Sequence, residues 1–275
     1  MRLYLIRHAE TVHNVAHVWA GVTDSALTNH GVLQIESVAQ YFASNGVHFG
    51  QIFSSDLTRT RLTAEGINRL QPRRAPLLMT PKLREKDFGS KEGQRIQSAT
   101  MRQDVLGASS IKPEKGSSYT SAEAESVQSM TTRAMSFLTD EIWPLLSDTA
   151  NSDMNVAIVS HGVFMRVLWG CLVDSLKPGE VRFSTGNAAR DGLPVGVFTP
   201  IWSNTGFMSF AIQPSTIAPA PTPETDSLVP SGWIITIEAV DMKDHLAGLQ
   251  RTRGGIGSAK HDAQQKRLDQ FFKKK

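Results

Sequence analysis

The chain has 275 residues, of which 40% are hydrophobic and 20% charged, and it carries a formal net charge of +3. This composition is typical of a folded globular protein and argues against a disordered or collagen-like chain. The single cysteine, Cys171, excludes an intrachain disulfide and a cysteine-rich zinc site. No apolar run approaches the roughly 18 residues of a membrane helix, and the first residues turn polar too quickly for a signal peptide.

The charge is unevenly distributed along the chain. From Lys243 onward there are nine Lys or Arg and three Asp, a net charge of +6. Residues 1–242 therefore carry −3, since the whole chain carries +3. Such a basic arm suggests contact with nucleic acid, an acidic protein surface or an import receptor, whereas a solvated, disordered end is the plainer interpretation.

Apolar runs typical of strands alternate with helical periodicities in the first part of the chain. Three short apolar runs predict buried strands at residues 3–6, 51–53 and 155–159. Apolar positions at helical spacing predict one helix after the N-cap residue Thr28, and another from about Val127 that stops before Pro144. This alternation predicts an α/β fold, a three-layer α/β/α sandwich around a mostly parallel sheet.

The last third of the chain has a different pattern. Residues 182–200 are irregular, whereas residues 207–212 and 233–240 predict strands because they are rich in β-branched and aromatic residues. The Pro-rich segment at about 214–230 predicts a mobile loop between two partners in one hairpin. We therefore expect one domain over residues 1–242 and a basic, disordered tail over 243–275.

Charged side chains follow three of the predicted strands. Arg7 and His8 follow the first, Arg59 comes soon after the second, and His161 follows the third. Because the carboxyl ends of parallel strands meet in one crevice, these groups are expected to meet there. Arginine pairs with phosphate oxygens and neutral imidazole is a nucleophile near neutral pH, so the set suggests phosphoryl transfer to histidine. Glu85 is available as the general acid that the leaving alkoxide needs.

Five segments, in order, resemble the histidine phosphatase superfamily, which has the phosphoglycerate mutase-like fold. The first, Arg7-His8-Ala9-Glu10-Thr11, is similar to the family's R-H-G-E-T signature, with Ala9 where Gly is usual. The others are similar to G-x-x-D-x-x-L-T-x-x-G, S-S-x-L-x-R-[AT], L-x-E-x-x-[FWY]-G-x-x-E-G and S-H-G, and they lie at residues 21–31, 54–60, 83–93 and 160–162. Residues 182–230 do not align with the family core, which leaves the substrate open.

The resemblance implies a role for each site residue. His8 would be the nucleophile that becomes phosphorylated, and Glu85 would be the general acid and then the general base for water. His161 would also belong to the catalytic set. The oxygens of a small phosphorylated substrate would be held by Arg7, Asn14, Arg59 and His161. The family's reaction requires neither a metal nor an organic cofactor.

Several alternatives stay open at this point. Asp87 and Glu92 compete with Glu85 for the acid role. A mutase would return the phosphoryl group to the same sugar acid, although the acid-bearing segment is more like that of the phosphatase branch. A catalytically silent interaction protein is the third possibility. The five tryptophans are expected in the core rather than at a ligand; they are Trp19, Trp143, Trp169, Trp202 and Trp233.

The tail carries a motif of its own at residues 265–272. Its spacing of Gln265, Leu268, Phe271 and Phe272 resembles the PIP box, the peptide that docks on the replication sliding clamp, PCNA. One helical turn would present the apolar residues as a plug, with basic flanks facing an acidic partner. The alternative is that the two phenylalanines fold back on the domain. A clamp partner would make the protein nuclear as well as cytoplasmic, with direct nucleic-acid binding weak or absent.

Overall fold

The computed structural model describes residues 1–97, 123–176, 179–184, 199–215 and 232–262. The predicted tail motif at 265–272 lies outside these residues, as does nearly all of the predicted Pro-rich loop. No helix within the described ranges is long and apolar enough to cross a membrane.

Strands and helices alternate in the order that the sequence predicts. The described strands are β1 (Arg2–Arg7), β2 (Phe49–Ser55), β3 (Leu77–Thr80), β4 (Asn155–Ser160), β5 (Val181–Phe183), β6 (Phe207–Pro214) and β7 (Trp233–Met242). The described α-helices are α1 (Val12–Ala16), α2 (Asn29–Ser44), α3 (Thr58–Arg69), α4 (Val127–Phe137), α5 (Trp143–Ser147) and α6 (Gly162–Asp174).

The seven strands form one sheet in the order β3-β2-β4-β1-β6-β7-β5. Strands β1 to β4 pair in parallel, and β5 pairs in parallel with β7. Strand β6 is antiparallel to both of its neighbours, β1 and β7, so β6 and β7 are the predicted hairpin partners. The prediction of a mostly parallel α/β sheet is confirmed.

Both faces of the sheet are covered by helices. Along β1, Leu3 and Leu5 belong to one apolar cluster, whereas Tyr4 and Ile6 belong to another, as the alternation of side chains along a strand requires. The first cluster includes residues of α4 and α6, and the second includes residues of α2 and α3. The continuous apolar run of β1 therefore reflects burial on two sides, which is typical of parallel sheets.

The helix predicted to stop before Pro144 continues past it. Helix α4 runs into a π-helical turn, Leu138–Ile142, and then into α5. Pro144 lies in the first turn of α5, where a backbone N–H has no partner within the helix, so the ring is tolerated there. The proline thus begins a new helical segment instead of ending the run.

The predicted tail also differs from the structure over its first 20 residues. Residues 243–262, here called the C-terminal strap, lie against the domain instead of leaving it. The ring of His245 lies 6.3 Å from that of Phe207 and parallel to it. Lys260 forms a β-bridge with Thr28, and the His261 N–H donates to Leu27 O at 2.9 Å. Side-chain and backbone contacts of this kind fix a segment that has no periodic pattern.

Candidate active site

Two neighbouring strand ends bring the two predicted histidines together. Arg7, the last residue of β1, is in register with Ser160, the last residue of β4. His8 and His161 follow directly, and their ring centroids lie 5.2 Å apart. Both residues are buried, with His8 4% exposed and His161 fully enclosed. Parallel pairing thus produces the juxtaposition that the strand-end argument predicts.

The imidazole of His8 is held in one tautomer. Its Nδ1 lies 2.7 Å from Ala9 O, and because a carbonyl only accepts, Nδ1 carries the proton. The lone pair is therefore on Nε2. Burial lowers the pKa of His8 well below its ordinary value, and the charges of Arg59 and Arg7 lower it further. The ring is thus kept neutral, as a nucleophile needs to be.

Arg59 is a buried cation with a fixed orientation. Its side chain is on α3, the residue is 1% exposed, and burial lowers its pKa to about 10, so it remains charged at neutral pH. Nη1 donates to Thr23 O at 2.9 Å and Nη2 donates to Gly21 O at 2.6 Å. The segment around Gly21 therefore aims the guanidinium toward the two histidines.

His161 is engaged at both ring nitrogens. Nδ1 accepts a hydrogen bond from Arg59 Nε at 3.3 Å, so the proton of the neutral ring is on Nε2, which donates to Ser55 Oγ at 3.0 Å. Burial, followed by the charge of Arg59, lowers the pKa of His161 well below its ordinary value. In this arrangement His161 orients Arg59, and contact with a phosphate oxygen requires that one of these bonds be exchanged.

Arg7 presents an unused donor. Its Nη1 donates to Trp202 O at 2.8 Å, which fixes the side chain. Its Nε is buried and has no hydrogen-bond partner among the residues that the structure describes. A buried guanidinium N–H without a partner is costly, and an anionic oxygen is the partner that suits it best.

Glu85 lies at the N-terminus of α6. Its Oε1 accepts from the backbone N–H of Phe164 at 2.9 Å, and its Oε2 accepts from that of Val163 at 3.2 Å. The two competing acids are used elsewhere: Asp87 accepts from the Gly89 N–H, and Glu92 accepts from the Val22 N–H. Only Glu85 of the three shares a cavity with His8 among the described residues.

Asn14, at the third position of α1, is part of its N-terminal cap. Its Oδ1 accepts hydrogen bonds from the Thr11 N–H and from Asn204 Nδ2, both at 3.1 Å. The remaining donor group for a ligand is therefore its Nδ2. Asn204 also donates to His8 O at 3.0 Å, so one side chain ties Asn14 to the backbone of the nucleophile.

Among the predicted site residues, Arg7, His8, Asn14, Arg59 and Glu85 line a cavity of about 170 Å³, whereas the enclosed His161 lies behind it and does not line it. Sequence reasoning missed several of its residues: Arg166 is one helical turn after Gly162 on α6, and its Nε donates to Pro200 O at 3.3 Å. Trp19 and Trp202, expected in the core, are buried but also line the cavity. Arg166 could have been found from its i+4 spacing, whereas the segment around Trp202 has no such signal. The described cavity is lined by Arg7, His8, Asn14, Val18, Trp19, Ala20, Gly21, Arg59, Glu85, Phe88, Ile96, Gly162, Val163, Arg166, Ile201 and Trp202.

A buried neutral imidazole flanked by arginines at the carboxyl edge of an α/β sheet defines the class: an enzyme fold with a site suited to an anionic substrate. The model of the histidine phosphatase superfamily (branch 1) matches residues 3–190, and the chain belongs to this family. The resemblance predicted from the five motifs is thereby confirmed.

Curated relatives carry phosphatase and mutase names. A broad-specificity phosphatase of Saccharomyces cerevisiae is 29% identical over 61% of this chain and 68% of its own. A protein of Schizosaccharomyces pombe named as a probable phosphatase is 27% identical over 98% of this chain and 79% of its own. A protein of Yersinia pestis named as a probable phosphoglycerate mutase is 31% identical over 64% and 74%. The family and its phosphatase relatives confirm the prediction of a phosphatase.

Solved structures share the fold. The α-ribazole phosphatase of Shigella flexneri has a TM-score of 0.54 and 21% identity, covering 88% of this chain and 96% of its own. The phosphoserine phosphatase of Entamoeba histolytica, in complex with 3-phosphoglyceric acid, has a TM-score of 0.54 and 21% identity, covering 89% and 98%. These likenesses confirm the phosphoglycerate mutase-like α/β fold.

Proposed function

We propose that the protein is a phosphomonoesterase that works through a phosphohistidine on His8. The observation that carries this proposal is the fixed tautomer of His8: Nδ1 is tied to Ala9 O, so the lone pair of Nε2 is available. The cavity that contains His8 also contains Arg7, Arg59 and Glu85. Cations around a nucleophile offset the charge of the phosphoryl group during its transfer.

The reaction has two steps. In the first, Nε2 of His8 forms a bond to phosphorus as the ester P–O bond breaks, and protonated Glu85 gives its proton to the leaving alkoxide. In the second, the Glu85 carboxylate takes a proton from water, whose oxygen bonds to phosphorus as the P–N bond breaks. Inorganic phosphate leaves, and both His8 and Glu85 return to their starting forms.

The size of the cavity supports a small phosphorylated substrate. About 170 Å³ suits a phosphoryl group and a few further atoms. One relative is named a broad-specificity phosphatase, and residues 191–230 lie beyond the part of the chain that the family model matches, so we propose a range of small phosphomonoesters.

A mutase is the second candidate, because one relative at 31% identity is named a probable phosphoglycerate mutase. A mutase would return the phosphoryl group from His8 to the sugar acid and release little inorganic phosphate. A catalytically silent interaction protein would do neither. The two alternatives are separated from a phosphatase by the release of phosphate and by the effect of His8→Ala.

The decisive experiment measures phosphate release from a panel of phosphomonoesters without added metal. The panel contains p-nitrophenyl phosphate, sugar phosphates and nucleotides, and wild type is compared with His8→Ala. We expect release by the wild type and its loss in the variant. A wild type that releases no phosphate from any ester would refute the phosphatase proposal.

A sliding-clamp partner for the tail is a separate proposal. It depends on the PIP-box spacing of Gln265, Leu268, Phe271 and Phe272, residues outside the described part of the chain. A partial nuclear location would follow from it.

The test of the clamp proposal is binding of the full chain to PCNA at two salt concentrations, with the double variant Phe271→Ala/Phe272→Ala as control. Binding through the apolar plug should survive moderate salt and be lost in the variant, whereas binding to DNA should fall steeply with salt. Equal clamp binding by the variant would contradict this proposal.

A further inference from the structure

We propose that Arg251, on the C-terminal strap, is a positioning residue for the nucleophile His8 and acts through Glu10. The part of this inference that concerns turnover rests on the proposed phosphatase function. Arg251 is 61 residues beyond the last position that the family model matches, residue 190. The strap therefore adds to the site a contact that the matched part of the chain does not contain.

The first step is the pairing of Arg251 with Glu10. Nη1 of Arg251 donates to Glu10 Oε1 at 2.8 Å, and Nη2 donates to Glu10 Oε2. This two-point geometry is the strongest arrangement available to an arginine and a carboxylate. Thr28 Oγ1 donates to the same Oε1 at 2.7 Å. The Glu10 side chain is only 11% exposed, so its orientation depends on these partners.

The second step leads from Glu10 to the imidazole. The peptide unit between Ala9 and Glu10 contributes both the carbonyl that accepts from His8 Nδ1 and the N–H that donates to Gln34 Oε1 at 2.9 Å. The Glu10 carbonyl accepts from the Thr28 N–H at 3.0 Å. A displacement of the Glu10 backbone therefore also moves the carbonyl that fixes the tautomer and the direction of His8.

The packing around Glu10 leaves little room for compensation. Helix α2 begins directly against this residue, and a Cβ added to Gly31 would lie 2.2 Å from Glu10 O. If Arg251 is removed, the partly buried carboxylate keeps Thr28 but loses its counter-charge, which favours movement toward solvent. Close packing transmits that movement to the neighbouring peptide.

The strap holds Arg251 in place from both sides. On one side, His245 Nε2 lies 3.0 Å from Thr205 Oγ1, and the Thr205 N–H donates to Arg7 O at 3.1 Å. On the other side, Ser258 Oγ accepts from Arg251 Nη1 at 3.0 Å, and Ile256 O accepts from Asn29 Nδ2 at 2.9 Å. The strap thus supports both the loop after β1 and the segment that contacts Arg7.

The experiment compares three single variants of the full chain. Arg251→Met removes the guanidinium group, and Arg251→Lys keeps the positive charge without the two-point geometry. Arg253→Met is the matched control at an exposed position. For each, kcat and KM are measured together with the thermal midpoint and the 15N resonances of the His8 ring. The double variant Glu10→Gln/Arg251→Met is compared with its two single variants.

We expect Arg251→Met to lower kcat about tenfold with KM changed less than about twofold, because misplacement of a nucleophile affects the transition state more than binding. Arg251→Lys should recover part of the loss, and Arg253→Met should match wild type. The His8 Nδ1–H resonance should shift or broaden in Arg251→Met while the protein stays folded. The double variant should lose less activity than the product of the single losses, since both remove one interaction.

Two results would overturn the inference. One is a wild-type kcat in Arg251→Met. The other is a loss explained by a lower thermal midpoint alone, with the His8 resonances of the folded protein unchanged. If the wild type hydrolyses no ester, the proposed function fails instead, and the ring resonances still decide whether Arg251 positions His8.

Discussion

The polar cavity at His8 and an apolar groove between α2 and α3 differ in both size and chemistry. The groove has a volume of about 690 Å³, against about 170 Å³ for the cavity. Its charged residues are all exposed to solvent: Glu36, Glu65, Arg69 and Arg74. The cavity, in contrast, encloses Arg59 at 1% exposure and the Nε of Arg7, which has no hydrogen-bond partner within the described part of the chain.

This contrast teaches that buried charge identifies the candidate active site better than volume does. Exposed charges are solvated and cost little, so those around the groove require no ligand. Burying charged groups is costly, and a protein that keeps two arginines in one cavity has a use for them. The groove, although larger than the cavity, is thus the weaker candidate for catalysis.

The largest expected difference in kcat arises when a glutamate of each region is replaced by glutamine. Glu85→Gln should lower kcat about 10²- to 10⁴-fold, because glutamine neither donates the proton nor accepts one from water. Glu36→Gln in the groove is the matched control and should leave kcat unchanged. Steady-state rates with p-nitrophenyl phosphate, whose leaving group needs less protonation, should show a smaller loss for Glu85→Gln than sugar phosphates do. Equal activity of the two variants would remove Glu85 from the acid role.

A second comparison of the two regions uses one arginine from each, Arg166 in the cavity and Arg69 in the groove. Arg166, half-buried in the cavity, should bind a second anionic group of a substrate, whereas Arg69 in the groove is exposed. Arg166→Met should raise KM about tenfold for substrates with a carboxylate or second phosphate, and change it less than about twofold for p-nitrophenyl phosphate. Arg69→Met should change neither value. The same KM increase for both kinds of substrate would assign Arg166 a role outside substrate selection.

Sequence patterns reveal one part of this site and miss another. His8 and His161 could be expected to meet, because each follows a buried strand and parallel strands end at one edge. Their catalytic roles stay predictions. Trp202 and Arg251 could not be found in this way. Each lies in a segment without periodicity and contacts the region of β1 through side-chain hydrogen bonds: Arg7 Nη1 donates to Trp202 O, and Arg251 pairs with Glu10. Neither segment has a period that indicates what it touches.

The pH response is the next test of buried charge. The pKa of His8 is lowered by burial, Arg59 and Arg7, so the ring should stay neutral as the pH falls through 6.5. NMR titration of the ring, assigned with His8→Ala, should show no midpoint near 6.5, and Arg59→Met should move the midpoint upward.

The same pKa shifts affect stability. Unfolded His8 and His161 bind protons near pH 6.5 whereas the folded residues do not, so the free energy of unfolding should fall as the pH drops below about 6.5. Urea unfolding between pH 7 and 5 measures this change. An NMR titration midpoint for His8 near its ordinary value of 6.5 would contradict both expectations, because it would show that the cavity is more hydrated than its geometry indicates.

The smallest expected effect tests the groove itself. Leu62, on α3, lines the groove and packs against a small cluster that includes Ala9, Leu27 and Ile35. Leu62→Ala should lower the free energy of unfolding by about 1–2 kcal/mol, because a partly buried leucine loses apolar contact. At temperatures where the variant stays folded, kcat and KM should equal those of wild type. If kcat falls while the protein remains folded, the groove is coupled to His8 through Ala9, and the two regions are not independent.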